Sequence, residues 1–197
     1  MKKGEKRKQE LLKIAYGMFL EKGYESTSVD EIIEAAGIAK GTYYYYFESK
    51  EQTLEEVIDM MLDAETAKAD AIMAADISIP EKLIGIVSSF RPDVSEAPIR
   101  DTLNSPENLL MHEKINRRLN ERIIPIISRL VEEGVKQGIF SCVEILQRVR
   151  MIIILSRELF DEEGYTEADI DVFIDVVEKI LYARPGTMGF IKKIITN

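Results

Sequence analysis

The sequence predicts an all-α protein of about nine helices. Three observations support this class: apolar residues recur three and four positions apart along most of the chain, helix-start and helix-stop signals are frequent, and neither an alternating strand pattern nor a hairpin signal occurs. With 197 residues, 46% of them hydrophobic and 31% charged, the chain can bury a core without disulfides or metal ions.

The first 50 residues predict three short helices. The first covers residues 5–22, where Leu11, Ala15 and Phe19 share one face, and it ends before Gly23. Ser28 and Glu31 form a capping-box pattern that opens the second helix, which Gly37 stops after about Ala36. The third helix is predicted from about residue 40 to residue 47.

The remaining helices are longer and also have local start and stop signals. Ser49 caps a helix to about residue 75, Ser78 and Pro80 open one to residue 90, and a short helix follows at 96–103. Ser105-Pro106 opens a helix to about residue 136, which Pro125 is expected to kink. The last two helices are predicted at 143–161 and, after the Thr166 cap, to about residue 183. Arg184-Pro185-Gly186 then leaves a short tail.

Charge is distributed unevenly along the chain, whose net charge is −9. Residues 1–50 carry +1 and residues 51–197 carry −10, while residues 1–13 alone hold six basic and two acidic side chains. A polyanion would therefore be tolerated only by the N-terminal quarter, although a solvated basic tail would give the same count.

Several function classes are disfavoured by composition. Cys142 is the single cysteine and His112 the single histidine, which argues against a disulfide framework and a metal site. No apolar run is long enough to span a membrane, no signal peptide is visible, and no nucleophile–base or nucleotide-loop pattern stands out. We therefore expect a cytoplasmic protein that is not an enzyme, with no cofactor and no membrane partner.

The second and third helices, joined by the Ala35-Ala36-Gly37 turn, have the form of a helix-turn-helix. Tyr43 and Phe47 are four residues apart and are expected to pack inward, which turns Gly41, Thr42 and Tyr45 outward. A short polar and aromatic face of this kind suits the major groove of DNA. The alternative, a tyrosine-rich core helix, is disfavoured because four consecutive tyrosines cannot all face one core.

Residues 23–54 closely resemble the DNA-binding signature of the tetracycline-repressor (TetR) family, with matches at Gly23-Tyr24, Ala36-Gly37, Lys40-Gly41-Thr42 and Ser49-Lys50. The resemblance implies a DNA-binding domain at residues 1–49 and an effector-binding, dimer-forming domain at 50–197. The implied contacts to a double-stranded DNA operator are Thr27, Ser28, Lys40, Gly41, Thr42, Tyr44, Tyr45, Tyr46 and Lys50. Among these Thr27 and Lys50 would bind phosphates.

Two departures from the family pattern bear on operator sequence. Ala39 stands where the family usually has Ser, so the third helix lacks a good N-cap, and Tyr46 stands where His is common.

Apolar stripes near the C-terminus predict a homodimer interface. The helix at 143–161 is apolar on every side from Met151 to Leu155, and the last helix has a regular stripe. The alternative is that both stripes belong to the core of a single chain. The predicted interface residues are Met151, Ile154, Leu155, Leu159, Ile170, Phe173, Ile174, Val177, Ile180 and Leu181.

A ligand pocket is predicted from methionines and the proline kink, which suit an adaptable apolar cavity. Plain core packing is the alternative for each position. The predicted lining is Met60, Met61, Ile86, Phe90, Met111, Ile115, Leu119, Ile152 and Ser156.

The function that follows is a DNA-binding transcriptional regulator. We expect a homodimeric repressor that a small apolar or amphipathic molecule releases from a palindromic operator. Two alternatives stay open: a helical carrier of small molecules or lipids with a degenerate DNA-binding module, and a DNA-binding regulator that needs no ligand.

Overall fold

The computed structural model describes residues 3–91, 96–104, 109–160 and 164–196, and every regular element of this part of the chain is helical. The predicted all-α class is confirmed. The ten helices are α1 (Lys3–Lys22), α2 (Val29–Ala36), α3 (Lys40–Tyr46), α4 (Lys50–Ala74), α5 (Ile79–Ser89), α6 (Ala97–Asn104), α7 (Leu109–Lys136), α8 (Ile145–Phe160), α9 (Glu167–Leu181) and α10 (Ile191–Thr196).

Most helix boundaries follow from local caps. Ser28, Ser78 and Thr166 cap the starts of α2, α5 and α9, as the sequence predicts. Each forms a complete capping box, a pattern that the sequence analysis identified only for Ser28. The predicted start signal at Ser105-Pro106 lies outside the described residues. Helix α7 is continuous through Pro125, and the kink there stays a prediction.

The tail differs from the sequence prediction because it contains α10, one helix more than the nine expected. A six-residue helix is too short to be stable alone, so its stability comes from packing. Ile191 and Ile194 are buried, and α10 packs against α5 and α9.

The chain divides into two compact units. The first comprises Met1–Ala64 and Pro92–Leu119, and the second Glu65–Arg91 and Asn120–Asn197. Helices α4 and α7 therefore each contribute residues to both units. The predicted functional division into residues 1–49 and 50–197 concerns DNA and effector binding, and it stays a prediction.

The core of the first unit combines α1, α2 and α3 with parts of α4, α6 and α7. Of the predicted pocket residues, Met60, Met61 and Met111 pack against this core and Ile115 is buried in it. Leu119, which is half-buried, also belongs to this unit.

Within the first unit, ion pairs join α4 to α7. The Arg118 guanidinium donates to Asp59 at 2.6 Å and to Glu55 at 2.7 Å, and the Lys114 ammonium donates to Glu55 at 3.0 Å. Because Lys114–Glu55 and Arg118–Asp59 are both 59 residues apart in sequence, the two helices run in the same direction here.

The core of the second unit corrects the dimer prediction. Ile170, Phe173, Val177 and Leu181, predicted as interface residues, are buried within the single chain. A helical stripe can face only one surface, and the stripe of α9 faces its own core. Ile174 and Ile180 are half-buried and pack against the same core. The monomer-core alternative is therefore correct for the buried part of this stripe.

The second unit also contains an apolar cavity of about 130 Å³. Of the predicted pocket residues, Ile152 and Ser156 line this cavity, whereas Ile86 and Phe90 belong to the surrounding core. The predicted pocket as a whole stays a prediction. Helical spacing identifies which side chains face inward, but not which of two cores they join.

In the part of the chain that the structure describes, none of the helices combines the length with the apolar content that crossing a membrane requires.

Replacing Gly134 by Ala should destabilise the fold, because a Cβ there would overlap the ring of Phe140. We expect a loss of about 1–3 kcal/mol, typical of overpacking. Gly17→Ala is the matched control, since it also lies in a helix but has open space around the added methyl. Its expected effect is a gain of up to about 1 kcal/mol. Chemical denaturation measures both, and equal effects would contradict the assigned contact.

Candidate nucleic-acid interface

Helix α3 is anchored by the side chains that face the first unit. Tyr43 and Phe47 are almost completely buried among Leu11, Phe19 and Ile32, as the sequence predicts. Their rings pack against each other with centroids 5.4 Å apart. Seven residues would not form a stable helix alone, so this burial fixes the position of α3.

A second anchor joins α3 to the start of α4. The hydroxyls of Tyr43 and Thr53 lie 2.6 Å apart, and the Thr53 hydroxyl also lies 3.1 Å from the Ser49 carbonyl oxygen. Because a hydroxyl has one proton, Thr53 donates to Ser49 and accepts from Tyr43. Burial raises the pKa of Tyr43, which keeps its phenol protonated as the donor.

The turn between α2 and α3 is closed by its backbone. Gly37 adopts the left-handed conformation with φ of 60°, which glycine tolerates better than other residues. Its N–H donates to Glu34 and that of Ile38 donates to Ile33, the Schellman pattern. The Arg7 guanidinium adds a bond to the Ala36 carbonyl at 3.2 Å, which ties the basic N-terminal helix to the turn.

The outward face of α3 is polar and aromatic. Tyr45 is 80% exposed and Tyr44 48%, Gly41 is exposed, and Thr42 and Tyr46 are half-buried. Tyr45 and Tyr46 make an edge-to-face contact with centroids 5.0 Å apart. Ala39 gives the helix no side-chain cap, as predicted. The face therefore offers hydroxyls and rings to a partner without disturbing the buried anchors.

Lys40, at the start of this face, is paired with an acidic side chain that the sequence analysis did not identify. Its ammonium donates to the Asp30 carboxylate at 3.0 Å, and this hydrogen bond raises the pKa of Lys40. Both side chains are largely exposed. Asp30 and Lys40 lie on different helices ten residues apart, so no helical spacing relates them.

Thr27 and Lys50, the two predicted phosphate contacts, lie in different environments in the structure. Thr27 is buried, and its hydroxyl donates to the Gly23 carbonyl at 2.8 Å, so its side chain has a structural role as it stands. The Lys50 ammonium donates to the Tyr24 carbonyl at 3.1 Å and lies 4.1 Å from the centre of that ring. A phosphate contact from the Thr27 hydroxyl would require its bond to be exchanged, because a hydroxyl has one proton. The Lys50 ammonium has three donors, so it can bind a phosphate and keep its bond to Tyr24.

Ser28 belongs to the cap of α2. Its hydroxyl accepts from the Glu31 N–H and donates to the Glu31 carboxylate. A hydrogen bond from Lys22, followed by those from the Ser28 backbone and side chain, lowers the pKa of Glu31 to about 2. Because this pKa is lowered, the cap stabilises the fold above the ordinary pKa of 4.5, and its contribution is lost as the pH falls toward 2.

Thr53→Val should destabilise the protein, because it leaves the buried Tyr43 hydroxyl without an acceptor. An orphaned buried polar group costs about 1–3 kcal/mol. The double variant Tyr43→Phe/Thr53→Val should lose less than the sum of the two single losses, since it removes both partners. Urea denaturation of the four proteins checks this, and strictly additive losses would show that the two hydroxyls do not interact.

Comparisons with known proteins agree with this geometry. The model of the family described as bacterial regulatory proteins, tetR family, matches residues 11–57, which span most of α1, all of α2 and α3, and the start of α4. The HTH-type transcriptional repressor KstR2 of Rhodococcus jostii is 30% identical over 138 residues, which cover 68% of each chain.

Two further comparisons extend over more of the chain. The uncharacterized HTH-type transcriptional regulator YhgD of Bacillus subtilis is 25% identical over 185 residues, 91% of this chain and 96% of that one. A crystal structure of RolR with resorcinol shares the fold, with a TM-score of 0.64, 17% identity, and coverage of 99% of this chain and 95% of that chain. The chain therefore belongs to the tetR family of bacterial regulatory proteins, the helix-turn-helix transcriptional regulators.

Proposed function

We propose that this regulator is a homodimeric repressor that leaves a palindromic operator when a small apolar or amphipathic molecule binds. Residues 1–49 would bind DNA, and residues 50–197 would bind the effector and form the dimer. The observation that carries the proposal is the exposed face of α3, held from behind by the buried Tyr43 and Phe47. The similarity to KstR2, a transcriptional repressor, supports repression as the mode of action.

On DNA, Lys40, Gly41 and Thr42 would approach base edges in the major groove. Gly41 allows close approach of the backbone, because it is exposed and has no neighbour within 4 Å of a Cβ position. Tyr44, Tyr45 and Tyr46 have hydroxyls for phosphates and rings for thymine methyl groups. Ser28, Thr27 and Lys50 would add phosphate contacts. The two hydroxyls would exchange their present bonds, whereas the Lys50 ammonium would use a further donor.

The dimer would form through the exposed apolar face of α8. Met151, Ile154, Leu155 and Leu159 are exposed on this helix, and Val172 is exposed on α9. Burial of such an apolar face against a second copy of the chain is energetically favourable. A two-fold dimer presents two α3 helices, which matches a palindromic operator.

Release would follow from a change in the spacing of the two α3 helices. Helix α4 begins next to the α3 anchors and has 25 residues, so it is about 37 Å long. Its N-terminal part belongs to the first unit and its C-terminal part to the second. A ligand can shift α4 only by binding more tightly to the non-operator shape of the dimer.

The apolar cavity supports one other function, a helical carrier of small molecules. That function would leave the exposed tyrosines of α3 and the Lys40–Asp30 pair without a role. Selection from DNA separates it from the regulator.

Selection of bound sequences from random duplex DNA should enrich a palindrome. Lys40→Ala should weaken binding. If Lys40 binds the DNA backbone, the salt dependence of the affinity should fall by about one phosphate contact. If it binds a base edge, the sequence preference at one position of the operator should become weaker. Asp30→Asn should strengthen binding, because it removes a carboxylate that competes with DNA for Lys40. Fluorescence anisotropy at several salt concentrations measures both effects.

Lys68→Ala is the matched control. Lys68 is as exposed as Lys40 and is also paired with a carboxylate, that of Glu65, but it lies on α4 and not on α3. It should leave affinity unchanged. No enriched sequence at low salt, or equal losses in the Lys40 and Lys68 variants, would overturn the proposed interface.

Met151→Glu should convert the dimer to a monomer and abolish tight operator binding, because it places a charge on the proposed interface. Met151 is 59% exposed in the single chain, so the change should not disturb folding. Val143→Glu is the control, since Val143 is 69% exposed but precedes α8. Light scattering gives the mass. A dimeric Met151→Glu protein would show that another surface forms the dimer.

A further inference from the structure

The cavity of the second unit is almost entirely apolar. Helices α5, α7, α8 and α9 form its walls, and Ser156 is the one polar side chain among the described residues that line it. The Ser156 hydroxyl donates to the Ile153 carbonyl at 2.9 Å, so it is already satisfied within α8. A ligand here would have to be uncharged, because a polar group without a partner costs several kcal/mol to bury, roughly 2–7 by transfer.

The C-terminal tail covers this cavity. Met188, Ile191, Ile194 and Ile195 all belong to the tail and all line the cavity. The first three are buried, although they lie on a turn and a six-residue helix with little stability of their own. The cover is therefore held by its contacts with the rest of the unit.

Glu178 of α9 is the principal polar anchor of this cover. Its carboxylate is buried and accepts the Gly186 N–H at 2.9 Å and the Met188 N–H at 2.8 Å. Hydrogen bonds to a charged acceptor are stronger than neutral ones. Two further contacts lie nearer the end of the tail: Arg91 donates to the Ile194 carbonyl, and Lys192 pairs with Glu167 at the surface.

The size of the cavity limits what it can hold while covered. Its volume, about 130 Å³, is close to that of an engineered apolar cavity of about 150 Å³ that binds benzene. Sites for drug-sized ligands are larger, about 300–1,000 Å³. The closed cavity therefore has room for a single ring or a short hydrocarbon, and a longer molecule requires the tail to move away.

We propose that the second unit binds a small uncharged hydrocarbon-like molecule, and that residues 184–196 form a displaceable cover whose Glu178 anchor sets the largest ligand that can enter. The identification of this ligand as the effector rests on the proposed function. Its test uses no DNA, so the binding site and the repressor function can fail independently.

The test compares two uncharged probes on the full-length protein. Toluene has one ring, and N-phenyl-1-naphthylamine has three and fluoresces when it is buried. Toluene, followed by NMR, should bind the wild-type protein saturably, whereas the larger probe should bind weakly. Glu178→Gln should tighten binding of the larger probe by about tenfold, because the neutral amide loses one charge-assisted bond to the tail.

Two control variants show whether a change in probe binding comes from the cover and the cavity or from another effect of the substitution. Glu167→Gln is the same chemical change on the same helix, also at a tail contact, but at an exposed ion pair of small energetic value. It should leave both affinities unchanged. Val87→Phe places a ring into the cavity and should abolish toluene binding.

If Glu178→Gln does not fold, the cover can be tested on the wild-type protein instead. Hydrogen exchange of the amides from Gly186 to Thr196 should stay slow with toluene and become faster at a saturating concentration of the larger probe. No saturable toluene binding would overturn the ligand site. Equal affinity of wild type and Glu178→Gln for the larger probe, or unchanged tail protection when it is bound, would overturn the cover.

Discussion

The burial of Tyr43 and Phe47 determines the position of α3, and the proposed DNA-binding surface depends on that position. The helix has seven residues and no side-chain cap, so its own hydrogen bonds would not maintain it. The two rings pack into the core of the first unit, and the Tyr43–Thr53 bond adds the start of α4. Of the four consecutive tyrosines on α3, Tyr43 faces the core and stabilises the helix. The other three are exposed or half-buried and are available for the proposed contacts with DNA.

The apolar stripe of α9 packs into the core of the second unit, whereas the sequence analysis assigned it to a dimer interface. Phe173, Val177 and Leu181 of α9 face the core and line the cavity, so the surface available to a second copy comes mainly from α8. The same helix α9 supplies Glu178, whose buried carboxylate fixes the tail. Helix α9 therefore contributes to the cavity, the core and the anchor of the cover, while most of the exposed apolar residues of the two helices lie on α8.

The sequence could predict what local chemistry determines. Caps such as Ser28, Ser78 and Thr166 act within four residues, and the inward face of α3 follows from the helical repeat. Contacts between distant residues have no such signal. Asp30 with Lys40 and Glu178 with the tail depend on how helices pack. Helical spacing likewise could not distinguish Met60, in one core, from Ile152, in the other. Helix α10 is below the length at which sequence propensity is informative.

Helix α8 would contact both of the proposed partners of the second unit, the ligand and the second copy of the chain. Ile152 and Ser156 face the cavity, whereas Met151, Ile154 and Leu155 face outward. A ligand in the cavity would therefore contact the same helix as the second subunit, with no intermediate element between the two. Because a ligand acts only through its differential affinity for two shapes, a ligand that fits one position of α8 better than another would favour one arrangement of the dimer.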